Sequence, residues 1–155
     1  MGAVGQERKS ERVKTSAHNL VSVAIAAPVG CLAHHYTRDG VTALCVAAGC
    51  VSGIWFSPDL DLGERRKMRS KNWPWVLFWR PYALAIKHRS FWSHFPIVGT
   101  LVRLLYFFGI IGAVMYTLGW WDVFVALPWG LIAWWAVGLA VDNSAHWIMD
   151  VLGSN

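Results

Sequence analysis

Long runs of apolar residues, almost free of charge, constrain this chain more than any other feature. They cover residues 19–35, 41–57, 73–86, 96–121 and 123–141. A helix needs roughly 17–25 apolar residues to cross the hydrocarbon core of a bilayer. By that measure 19–35 and 41–57 sit near the short limit, and 96–121 and 123–141 qualify. The stretch 73–86 is too short and is interrupted by Arg80-Pro81, so it reads as a helix lying in the interface or re-entering from one side. The expectation is an all-α integral membrane protein with about four transmembrane helices plus that short helix.

Composition agrees. Charged residues make up 15% of the chain and hydrophobic residues 55%, where a soluble domain carries about 25% charge. Most of the 11 tryptophans fall near the ends of the apolar runs, as aromatic belts at the headgroup layer do. The net charge of +5 sits in short segments beside those runs. That excludes nucleic acid as the natural partner and points to membrane lipids. Cys31, Cys45 and Cys50 lie inside apolar runs without a C-x-x-C spacing, so free thiols are expected rather than a disulfide framework.

The connections set the topology. Residues 1–17 form a basic, poorly ordered arm, and 18–152 a single membrane-embedded helical domain. The turn Tyr36-Thr37-Arg38-Asp39-Gly40 folds the first two runs into a hairpin. Residues 57–72, SPDLDLGERRKMRSKN, hold the most basic loop. The arm carries Arg8, Lys9, Arg12 and Lys14, and the loop Arg65, Arg66, Lys67, Arg69 and Lys71. Two spans separate these segments, so both face the cytoplasm by the positive-inside rule. If 73–86 does not cross, KHRSFWSHF at 87–95 stays on that side. The last two runs go out and return, leaving both termini inside.

This topology gathers ionisable side chains. His18, Asp59, Asp61, His88, His94, Asp142, His146 and Asp150 all fall near one membrane face, four of the six histidines and four of the six aspartates. His34 and His35 fall at the opposite face. Asp142, His146 and Asp150 recur at i, i+4 and i+8, one stripe of a helix. Asp59 and Asp61 follow Pro58 in an extended or turn segment, where two carboxylates can converge on a cation. Imidazole with carboxylate suits a divalent transition metal, one or two ions, with zinc the first expectation and manganese or iron the alternatives. Eight candidates exceed the ligands of one ion, so either two ions bind or some aspartates orient imidazoles instead. Singly, each motif has a plainer reading: an interfacial histidine, an Asx turn, an i, i+4 hydrogen-bonded pair. Jointly they sit on one face of a charge-poor chain, where ionisable groups are costly and mark function.

SPDLDL, then KHRSFWSH followed by Pro96 and GTLVRLLY, then DNSAHWIMD, resemble a family of uncharacterised bacterial membrane proteins described as metal-binding and common in cyanobacteria. More distantly the pattern is similar to membrane-bound metal-dependent hydrolases. The resemblance covers about residues 16–152 and falls on His18, Asp59, Asp61, His88, Arg89, His94, His146 and Asp150. It implies metal binding and, more remotely, hydrolysis of a phosphate- or ester-containing lipid-like substrate at the cytoplasmic face of a bacterial inner membrane or thylakoid. Asp61 would then be the general base, and Arg89 with Lys87 would hold the anionic group. The alternative is a non-catalytic assembly or binding subunit of a membrane-protein complex, clamped by a structural metal.

Overall fold

The computed structural model describes residues 3–56, 73–86 and 90–152, with side chains described at 19–56, 77–86, 90–92 and 95–152. The described residues are all-helical, with no strand. The helices are α1 Ala3–Thr37, α2 Gly40–Ser52, α3 Trp73–Ala85, α4 Phe91–His94, α5 Pro96–Thr117, α6 Trp121–Val125 and α7 Trp129–Leu152.

Among the described residues, two segments are long and apolar enough to cross a membrane: Asn19–Thr37 within α1, with mean hydropathy 1.3, and α5, with mean hydropathy 2.1. The second run is shorter than its hydropathy implied. α2 has 13 residues, about 20 Å at 1.5 Å per residue, against a hydrocarbon core of about 30 Å. It ends where the backbone tightens: Gly53 N–H bonds the Cys50 carbonyl and Ile54 N–H the Val51 carbonyl, both at 3.2 Å. The last run also starts later than expected, at Trp129 rather than 123. Pro128 disfavours helix in the residue before it, and its carbonyl accepts from Leu131 N–H at 2.9 Å, opening α7. α5 starts where the sequence places it, with Pro96 in the first turn, the position in a helix that tolerates a missing N–H. The N-terminal arm, expected to be poorly ordered, is instead helical from Ala3 and continuous with α1, because its Ala, Gln, Glu, Lys and Arg content favours helix.

The chain groups into two compact units, Met1–Ile54 with Trp134–Asn155, and Trp55–Ala133. In the first, α1 and α2 form the expected hairpin with a link reduced to Arg38 and Asp39. Asp39 caps α2, its Oδ1 accepting from Val41 N–H at 3.2 Å and its Oδ2 from Thr42 N–H at 2.9 Å. Arg38 adopts the left-handed region, φ 55°, at a cost of about 1–2 kcal/mol for a residue with a side chain. Small residues bring the pair together: a β-carbon on Gly30 would lie 3.1 Å from that of Ala47. α2 meets α7 more closely still. A β-carbon on Gly49 would sit 2.9 Å from Leu139 N and 3.0 Å from Gly138 Cα, and one on Gly138 only 2.8 Å from the Val46 carbonyl carbon. Main chain touches main chain there, and the Cys50 thiol donates to the Gly138 carbonyl at 3.3 Å. Leu139 and Cys50 are fully buried beside it.

The second unit is built on rings. Trp79 and Tyr82 of α3 are buried and meet Tyr106 of α5 at centroid distances of 5.3 and 5.5 Å. Phe78 and Phe56 approach Phe107 edge-on at 5.7 and 5.2 Å. Such offset and edge contacts add about 0.5–1.5 kcal/mol each beyond area burial. The Tyr106 hydroxyl donates to the Phe78 carbonyl. Further along α5, the Phe124 ring of α6 lies over Gly112, where a β-carbon would be 3.1 Å from it. Phe124 and Phe108 both reach Trp129, at 5.1 and 5.4 Å.

Much apolar surface faces outward. Leu20, Leu44 and Leu105 are each 70% exposed or more.

Candidate metal centre

Asp59, Asp61, His88 and Arg89 lie outside the described residues, as does Lys87. His18 lies in α1 and His94 ends α4, with their side chains also outside. Three of the eight candidate ligands are described in full: Asp142, His146 and Asp150, all on α7.

α7 continues unbroken through DNSAHWIMD because the segment lacks glycine and proline, and because Ser144 returns its hydroxyl to the Ala140 carbonyl at 2.7 Å instead of competing for the ladder. The helix therefore sets the three side chains on one stripe, as the spacing predicts. Burial is graded along it. Asp142 is 4% exposed and His146 8%, while the Asp150 side chain is 39% exposed. The stripe runs from the contact with α2 toward an open end.

His146 Nε2 and Asp150 Oδ2 are 3.4 Å apart. That is long for a nitrogen–oxygen hydrogen bond, whose mode is about 2.9–3.0 Å. It matches the edge of a tetrahedron: two ligands each about 2.1 Å from a zinc ion are about 3.4 Å apart. An imidazole nitrogen and a carboxylate oxygen at that separation fit a borderline divalent ion. Asp142 is placed differently. Its carboxylate rests against the α-carbon of Gly53, in the space a side chain would fill there. Residues 142 and 150 are two turns apart, about 12 Å along the axis, so the three cannot close on one ion alone. Among the described residues no group of three or more His, Cys, Asp or Glu could hold a metal. The other candidate ligands, His18, Asp59, Asp61, His88 and His94, have side chains outside the described residues.

His34 and His35 stand at the hairpin end of α2, beside Arg38, whereas Asp142 stands at its Gly53 end. About 20 Å of helix separates them.

Sequence reasoning overlooked several neighbours of the stripe. Asn143, 1% exposed, extends the buried polar surface next to Asp142. Gly49, Gly53 and Gly138 make the approach of α2 to α7 feasible. The signal for the first two was present as G-x-x-x-G at 49–53, a spacing that lets helix backbones approach in an apolar setting.

No curated protein and no solved structure matches the chain. The model of the family described as Uncharacterized metal-binding protein (DUF2227) matches residues 14–155, and the chain belongs to that family.

Proposed function

We propose that this chain is a membrane-embedded metal-binding protein that hydrolyses a phosphate- or ester-containing lipid-like substrate at the cytoplasmic headgroup layer. The observation that carries the metal reading is the 3.4 Å separation of His146 Nε2 and Asp150 Oδ2 at the open end of a buried polar stripe. Asp59, His18, His88 and His94 supply the further ligands in this reading, with Asp61 left uncoordinated and Asp142 behind them. A bound divalent ion, zinc before manganese or iron, would supply Lewis acidity and a water of lowered pKa. Around it, Asp61 takes the proton of the attacking water, and Arg89 grips the anionic group with a two-pronged contact that Lys87 reinforces.

The membrane setting is supported by the two segments that are apolar enough to cross and by the exposed leucines on α1, α2 and α5. The Lys and Arg distribution supports four crossings with both termini cytoplasmic. In this topology α2 crosses together with residues that follow it, α7 is the fourth span, and 18–152 is one domain. A bacterial inner membrane or a thylakoid is the natural location, and a cyanobacterial source fits the resemblance.

A second reading has its own observation. Asp142 and His146 are nearly inaccessible, as ligands of a closed structural site are. The chain would then be a non-catalytic assembly or binding subunit. Elemental analysis of the detergent-purified full chain tests both. Bound zinc, manganese or iron that disappears in His146→Ala is expected, and a metal-free wild type refutes the metal reading. Arg89→Lys then separates the two: retained metal with lost hydrolysis of a phospholipid or lipid-linked phosphate supports the enzyme. Unchanged metal with no hydrolysis by the wild type supports the structural clamp.

A further inference from the structure

Gly53 directly follows α2 with φ −54° and ψ −26°, so its backbone does not demand glycine. Its surroundings do. A β-carbon there would lie 3.1 Å from the β-carbon of Asp142, and still closer to Cγ and Oδ2 of the same carboxylate. At Gly49 and Gly138 the obstructing atoms are different in kind. They are main chain: the Trp135 carbonyl oxygen and Leu139 nitrogen for Gly49, and the Val46 carbonyl for Gly138. The backbones of two packed helices cannot step aside without separating the helices. The end of an aspartate side chain can, by turning about χ1 into another staggered position. A methyl group at 49 or 138 therefore acts on the fold, and a methyl group at 53 acts on the carboxylate.

We infer that Gly53 is a positioning residue of the candidate metal centre: its missing side chain is the seat that holds the Asp142 carboxylate in one orientation at the end of α2, one helical turn before His146. The inference rests on the reading that α7 carries the metal site. Asp142, 4% exposed, is too buried to be steered by solvent. Groups behind the direct ligands typically change metal affinity about 10- to 100-fold when they are lost.

The test uses the full chain in detergent, stripped of metal and titrated with cobalt(II), whose visible absorption reports the ligand field as well as the affinity. Gly53→Ala is expected to weaken cobalt binding about tenfold or more and to change the band shape, with helix content and elution position unchanged. Asp142→Ala should do the same, and Gly53→Ala added to Asp142→Ala should cost nothing more. Gly40→Ala, where a β-carbon meets nothing within 4 Å, should bind as wild type. Wild-type binding by Gly53→Ala, or losses that add in the double variant, overturns the inference. Loss confined to His146→Ala overturns it too, and leaves the metal reading standing. A wild type that takes up no cobalt removes both. Should Gly53→Ala fail to fold, recovery of folding in the Gly53→Ala, Asp142→Ala pair supports the seat, and failure of the pair refutes it.

Discussion

The two units solve the same packing problem with opposite materials. The first joins α2 to α7 by subtraction: Gly49, Gly138 and Gly53 remove side chains until main chain, a thiol and a carboxylate fill the gap. The second joins α3 to α5 by addition, interlocking Phe56, Phe78, Trp79, Tyr82, Tyr106 and Phe107. A glycine seam permits polar groups to be buried, because carbonyls and short polar side chains come within bonding reach of each other. An aromatic core gains its stability from area and ring geometry, and this one also encloses a charge, Arg103 of α5, 1% exposed. The candidate ligands described on α7 lie in the first unit.

The comparison predicts opposite sensitivities. Trp79→Ala should have the largest effect, about 3–5 kcal/mol, because a buried indole leaves a cavity its rigid neighbours cannot close. Thermal unfolding in detergent measures it, and a loss below about 1 kcal/mol would mean that the rings are not the core of the second unit. Gly138→Ala, a change of one methyl, should cost about 1–3 kcal/mol by overpacking against the Val46 carbonyl. Ordinarily this exchange stabilises a helix by about 1 kcal/mol, so a raised melting temperature would break the contrast between the units.

Smaller effects sharpen the contrast. Cys50→Ala removes the thiol donor to the Gly138 carbonyl and a buried sulfur, and should cost about 1 kcal/mol. Cys50→Ser should recover part of that loss, and a variant indistinguishable from alanine would show that the sulfur only fills space. The smallest effect belongs to Asp39, at the exposed end of the hairpin. Hydrogen bonds from the Thr42 hydroxyl, the Thr42 N–H and the Val41 N–H hold its carboxyl below the usual carboxylate range. A depressed folded pKa stabilises above the unfolded value and is lost as pH falls through the folded one. Asp39→Ala should therefore lower the melting temperature at neutral pH and match wild type in acid. A difference that persists undiminished below the carboxylate range would assign the effect to something other than this charge.

What could be read in advance follows the range of the interactions. The helical class, the start of α5 at a proline and the stripe on α7 depend on near neighbours in sequence, and periodicity reports those directly. The late start of α7 was missed because hydropathy does not register Pro128. The early end of α2 was missed for a related reason: Ser52 and Gly53 extend an apolar run while the backbone is already turning. The seam was hidden because its partners come from distant segments; Cys50 and Gly138 are 88 positions apart. Glycine in an apolar run reads as merely tolerated until the opposing helix is known. His18, Asp59, Asp61, His88 and His94 share a face by the sequence argument alone.

The same separation in sequence bears on the order of folding. Bringing two points of the chain together costs an entropy that grows as about 1.5RT ln n with the length between them. Gly30 meets Ala43 and Ala47 across a link of two residues, so the α1–α2 hairpin can form while the remainder is still being made. The α2–α7 contact must wait until α7 has been made. Closing it is a late event of assembly and, in reverse, an early one of unfolding, which makes the buried stripe on α7 a part of the molecule whose protection against amide hydrogen exchange should be among the first to fail.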